Sequence, residues 1–173
     1  MVVFAPEFGS DDPFADALGA ARWMAENDAN AFYPHMGIAS GPVTVGYVGT
    51  PLRYNCSAFG AAVTLASRCA GVKPQQECDA WIAFPADEWA GRDFATLFPL
   101  RKYEMPDGSV RESAQAWRLY EPQCEELKNL PPTEVRVIAK QPHTLAGLPA
   151  VERARMGVAA LREANRYWPH SRG

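Results

Sequence analysis

The chain predicts an α+β fold on three observations. Apolar residues recur at helical spacing in two stretches, short runs rich in β-branched and aromatic residues occur between and after them, and Gly- or Pro-containing turns separate the runs. Met1-Val2-Val3-Phe4 is an apolar run of strand character. Asp11-Asp12-Pro13 then supplies an N-cap and a first-turn proline for a helix ending near Asn27, with Phe14, Leu18, Ala21 and Ala25 on one face. Met36 to Ala39 and Val43 to Val48 flank Ser40-Gly41-Pro42 and read as a tight hairpin, followed by a loop. A second helix follows Gly60. Its Val63, Ala66, Cys69 and Ala70 form an apolar face, while Thr64 and Arg68, four apart, share a different one.

Farther on, Ala80-Trp81-Ile82-Ala83-Phe84 is a short apolar strand and Pro85 to Ala90 a brief helix. Arg101 to Met105 and Ala116 to Tyr120, with the turn signal Pro106-Asp107-Gly108 between them, read as a second hairpin. Beyond Glu121 the pattern changes. Pro122 and Pro131-Pro132 enclose a charged stretch that reads as a linker, so a domain over 1–121 is followed by a tail over 122–173. That tail holds a strand at Val135 to Ile138 and an amphipathic helix from about Ala150 to Arg166. The helix's Val151, Ala154, Val158, Leu161 and Ala164 are expected to pack on the domain or on a second copy.

At 173 residues, 47% hydrophobic and 21% charged, the chain supports one domain with a real core. A net charge of -3 provides no footprint for nucleic acid or an anionic membrane. No apolar run is long enough to span a bilayer and no signal peptide opens the sequence, so the cytoplasm is the expected location. Cys56, Cys69, Cys78 and Cys124 lack Cys-x-x-Cys spacing and are expected to be small buried residues with reduced thiols. His35, His143 and His170 have no metal-ligand spacing.

The ordered run Gly37-Ile38-Ala39-Ser40-Gly41, Val43-Thr44-Val45-Gly46-Tyr47-Val48-Gly49, Ser57, and Gly60-Ala61-Ala62-Val63-Thr64-Leu65-Ala66-Ser67-Arg68 resembles the second half of the class III nucleotidyl cyclase catalytic domain. That resemblance implies a ferredoxin-like cyclase domain, an antiparallel sheet with helices covering one face, which here is N-terminally truncated. It implies conversion of a nucleoside triphosphate to a 3′,5′-cyclic nucleotide and pyrophosphate in a head-to-tail homodimer. By the same resemblance Arg68 stabilises charge on the α-phosphate, a task suited to a planar, permanently charged guanidinium. Thr64 stands where the family usually has the asparagine that orients the ribose. Ser57, in the loop, is the base-reading position, with Tyr54 and Asn55 beside it as substrate-binding residues.

Base choice stays open, because a serine hydroxyl both donates and accepts. The run Arg53-Tyr54-Asn55-Cys56-Ser57, with Ala61 in place of a frequent aspartate, is similar to the bacterial pyrimidine cyclases that make cyclic UMP or CMP in anti-phage signalling. Family members hold two divalent ions, Mg or Mn, through two aspartates that precede the segment matched by Met1 to Phe4. No residue of this chain aligns with them, so no metal ligand is expected here and residues 1–173 alone are expected to make no cyclic nucleotide. Asp11, Asp12 and Asp16 are explained by capping. Two explanations stay open: Met1 is internal to a longer enzyme, or the short form is a noncatalytic domain acting in dimerisation or nucleotide sensing.

Overall fold

A computed structural model describes residues 1–27, 34–50, 53–100, 102–104, 110–112 and 115–141. In chain order its elements are α1 (Pro13–Asn27), β1 (His35–Gly37), β2 (Thr44–Thr50), β3 (Arg53–Phe59), α2 (Ala61–Cys69), β4 (Ala80–Pro85), α3 (Phe94–Leu97), β5 (Lys102–Glu104), β6 (Val110–Glu112), β7 (Trp117–Leu119), β8 (Gln123–Glu125) and β9 (Thr133–Lys140). Single 3-10 turns lie at Pro6–Phe8 and Ala86–Trp89. The content is α+β, as expected.

Helix α1 begins where its sequence asks it to. The Asp12 carboxylate accepts the Ala15 N–H at 3.1 Å, satisfying one of the donors a helix start leaves open, and Pro13 opens the first turn. Phe14, Leu18, Ala21 and Ala25 are all buried. Ser10 donates its hydroxyl to Asp16 at 2.5 Å.

The main sheet runs β1-β4-β9-β7, with β8 also on β9. It is mixed and not antiparallel throughout. β1 pairs parallel to β4, His35 opposite Trp81 and Gly37 opposite Ala83, because the intervening α2 carries the chain back to the same end of the sheet. The remaining pairings are antiparallel. Helices cover both faces, where the resemblance implied one. Alternation along β4 is the reason: Ala80, Ile82 and Phe84 pack with α1 and Ile138, while Trp81 and Ala83 pack with Cys69, Val72, Val135 and Val137. A chain of aromatic contacts, Phe14 to Phe84 (5.2 Å), Phe84 to Trp89 (5.7 Å), Phe94 to Phe98 (5.1 Å) and Phe98 to Trp117 (5.2 Å), seats the 86–98 segment on the α1 face.

Several expectations need correction. Residues 1–5 form no strand; Met1 and Val2 are largely exposed, and apolar β-character without a neighbouring strand does not build one. Residues 36–39 and 43–48 do not form a hairpin with each other. β2 pairs instead with β3, from Thr44 opposite Phe59 to Thr50 opposite Arg53, so residues 53–59 are a strand and not a loop. The later hairpin joins β5 to β6, whereas β7, within the expected second arm, pairs with β9 in the main sheet. The strand expected at 135–138, beyond the 121/122 boundary, is part of the main sheet as β9. β9 lies between β4 and β7, with Val135, Val137, Ile138 and Ala139 buried, since four apolar residues in five cover both faces of a central strand. The helix expected near 150–166 lies outside the described residues, as do His143 and His170.

All four cysteines are free, but their burial is split: Cys69 and Cys78 are buried, Cys56 and Cys124 exposed. Burial pushes both the Cys69 and Cys78 thiols up to about 11. A thiol reagent at neutral pH is therefore expected to modify Cys56 and Cys124 in the native protein and to reach Cys69 and Cys78 only after denaturation. Four equally fast thiols in the native state would contradict the packing.

Candidate functional site

Two elements carry the predicted residues. Thr64 lies in the first turns of α2 and is exposed; Arg68 lies one turn later and is half-buried. The Nε of Arg68 is shielded from solvent, and among the described residues it meets no hydrogen-bond acceptor and no carboxylate pairs with its guanidinium. Two other described arginines are engaged: Arg22 donates to the Leu97 carbonyl at 2.6 Å, and Arg92 binds Asp12 through two nitrogens at 2.7 and 3.0 Å. An N–H without a partner among the described residues carries a penalty of about 1–3 kcal/mol, which an acceptor brought to the guanidinium would offset. The Nε of Arg136, on β9, is buried and unpartnered too.

Strand β3 supplies the rest. Alternation places Ser57, opposite Gly46, and Asn55, opposite Val48, on one side of the hairpin; Ser57 is half-buried and Asn55 exposed. Tyr54, opposite Gly49, occupies the alternate register position, so the backbone does not group it with the other two. The hairpin runs directly into α2. Gly60 makes this junction: its φ of +153° is one that side-chain-bearing residues rarely adopt, and an added Cβ would lie 2.4 Å from the Pro42 carbonyl oxygen. Ser57 and Asn55 thus sit on the strand that leads straight into the helix bearing Thr64 and Arg68.

A crevice of about 1030 Å³ lies on another side of α2, lined among others by Gly37, Val43, Val63, Ala66 and Ala70, and neither Thr64 nor Arg68 lines it. The apolar face predicted for α2 is therefore divided: Cys69 is buried in the core, while Val63, Ala66 and Ala70 are half-buried along this crevice. His35 is exposed and stacks on Trp81 with ring centroids 3.4 Å apart. Desolvation, with the Lys73 charge adding, holds its pKa below the ordinary histidine value.

The described residues gather no two-ion centre. Among the described residues no three His, Cys, Asp or Glu side chains come together as a metal would need, Asp12 is held by Arg92 and the Ala15 N–H, and Asp16 accepts from Ser10. The Arg92 guanidinium is the main cause holding the Asp12 carboxyl below the usual aspartate range. The stabilisation this pair adds is then present above pH 3.8 and lost as pH falls through the lower, folded-state value. Because Asp12 is half exposed, its share is expected to stay under about 1 kcal/mol. Arg92→Met should flatten that region of the acid limb in a stability-against-pH series; an unchanged limb would show that the pair contributes nothing.

Among the described residues, no helix is long and apolar enough to cross a membrane. Comparison with protein-family models and with curated proteins finds no match for this chain.

Proposed function

We propose that this chain contributes the substrate-facing half of a class III nucleotide cyclase site, which closes a nucleoside triphosphate to its 3′,5′-cyclic nucleotide and expels pyrophosphate. The observation that carries this reading is Arg68: a guanidinium with a buried, unpartnered Nε, one helical turn from Thr64, on a helix that starts at the end of the strand holding Ser57 and Asn55. In the reaction the ribose 3′-oxygen attacks the α-phosphorus and the bond to the β-phosphate oxygen breaks. Arg68 would meet the growing negative charge on the α-phosphate oxygens with its guanidinium donors. Thr64 would donate one hydroxyl hydrogen bond to the ribose, with a shorter reach than an asparagine amide. Ser57 and Asn55 would read the base edge, and UTP or CTP is the preferred substrate pair on the similarity of 53–57 to pyrimidine cyclases. The divalent ions that such chemistry uses find no seat in the described residues, so no step is assigned to them.

The second copy in a head-to-tail homodimer would complete the site. A noncatalytic domain that dimerises or senses nucleotide is the competing reading. The test is incubation of the full-length protein with ATP, GTP, CTP and UTP in the presence of manganese, with cyclic products read by mass spectrometry. A cyclic pyrimidine nucleotide is the expected product. Nucleotide binding without any cyclic product would establish the noncatalytic reading.

A further inference from the structure

The β2–β3 hairpin is a two-stranded sheet separate from the main one. Among the described residues its strands pair only with each other, and every residue of β2 except Gly46 is exposed. A lone two-stranded sheet has little to hold it in one orientation. Its stems, however, are gripped. Gly60 at the exit lies against the Pro42 carbonyl at the entrance, as the 2.4 Å approach of an added Cβ shows. Two residues before Pro42, the Ser40 N–H donates to the Glu88 carboxylate at 2.9 Å. Glu88 belongs to the 3-10 turn at Ala86–Trp89, and its own carbonyl accepts from Arg92 Nε at 2.9 Å. Arg92 in turn holds Asp12 at the start of α1 and lies over the Phe14 ring, 4.6 Å from its centroid. A continuous set of contacts therefore leads from the N-terminus of α1 to the stem of the hairpin.

We infer that Glu88 is a positioning residue: through the Ser40 N–H it fixes the orientation of the β2–β3 hairpin relative to α2 and the main sheet. Ser40 lies on the chain between β1, which is locked into the sheet, and β2, which is not. Without the carboxylate this connection loses its acceptor from the body, and the hairpin pivots about Gly41 and Gly60. The significance for a substrate rests on the cyclase reading, since Ser57 and Asn55 ride on the arm while Thr64 and Arg68 stay on α2. The orientation itself does not rest on that reading.

The test uses residual dipolar couplings and amide relaxation on the 173-residue chain, without nucleotide. In the unsubstituted protein one alignment tensor is expected to fit the amides of 44–50, 53–59, 80–85 and 133–140 together. In Glu88→Ala the core amides keep that fit, while order parameters for the hairpin fall from about 0.85 to below about 0.6. Glu88→Gln, which retains an acceptor oxygen, restores the single fit. Ser40→Pro removes the donated N–H, leaves Glu88 in place, and is expected to release the hairpin as Glu88→Ala does, which keeps the test available should Glu88→Ala fail to fold. A hairpin that stays aligned with the core in Glu88→Ala, or a Gln variant as mobile as the Ala variant, overturns the assignment. Neither outcome bears on whether the protein makes cyclic nucleotide.

Discussion

Arg68→Ala in the full-length protein is expected to lower kcat by roughly 10²-fold or more, the scale of removing one preorganised donor from a transition state. On the cyclase reading KM should change much less, because the guanidinium's strongest contact would be to charge that appears only as the ribose oxygen attacks. Stability should hold, since the side chain makes no ion pair with any described residue and its truncation releases a buried, unpartnered Nε. Arg68→Lys is expected to recover little: a single ammonium cannot span two phosphate oxygens as the planar fork does. Steady-state rates and a denaturant titration on the same preparations decide the matter. Full activity in Arg68→Ala would make Arg68 a surface residue and remove the strongest support for the cyclase reading. An unfolded variant would make it structural.

The second large effect is expected at Gly37. On β1 it faces α2 at a distance that leaves no room for a side chain: an added Cβ would fall 1.8 Å from the Ala66 carbonyl oxygen and 2.6 Å from the Ala70 nitrogen. Both atoms are backbone, so neither can rotate aside, and Gly37→Ala must push the helix off the strand or pull β1 away from β4. The expected cost is about 3 kcal/mol or more, at the upper end of overpacking, read as a lower urea midpoint with an unchanged slope. Gly46→Ala is the control. Nothing lies within 4 Å of a Cβ there, and a change within about 0.5 kcal/mol is expected. Equal stability in the two variants would show that α2 is not seated on β1 as described. Because α2 carries Thr64 and Arg68, Gly37→Ala should also cost activity, and the denaturant titration would identify that loss as a packing effect.

The amino-acid sequence alone was enough for the locally encoded elements. Asp12-Pro13 and the 14, 18, 21, 25 spacing sufficed for α1, because a helix start and a buried stripe are properties of one continuous segment. The same holds for β4, whose apolar run announces a strand buried on both faces, and for α2, whose four-residue spacing puts Thr64 and Arg68 one turn apart. Partners were another matter. Residues 36–39 and 43–48 are neighbours in sequence, yet β1 found its partner in β4 and β2 found its partner in β3. Strand pairing depends on which backbone edges and which apolar faces meet after the chain has turned, and short strands carry little of that information. β9 shows the point most clearly. Prolines and charges precede it in the sequence, yet it lies between β4 and β7, with Val135, Val137, Ile138 and Ala139 buried. The candidate site divides along the same line: residue types at 57, 64 and 68 were legible, whereas the buried Nε of Arg68 and the hold of Glu88 on Ser40 exist only once segments far apart in the chain are brought together. Hydrogen bonds and close approaches of that kind are set by tertiary packing and leave no periodic trace in the residues that make them.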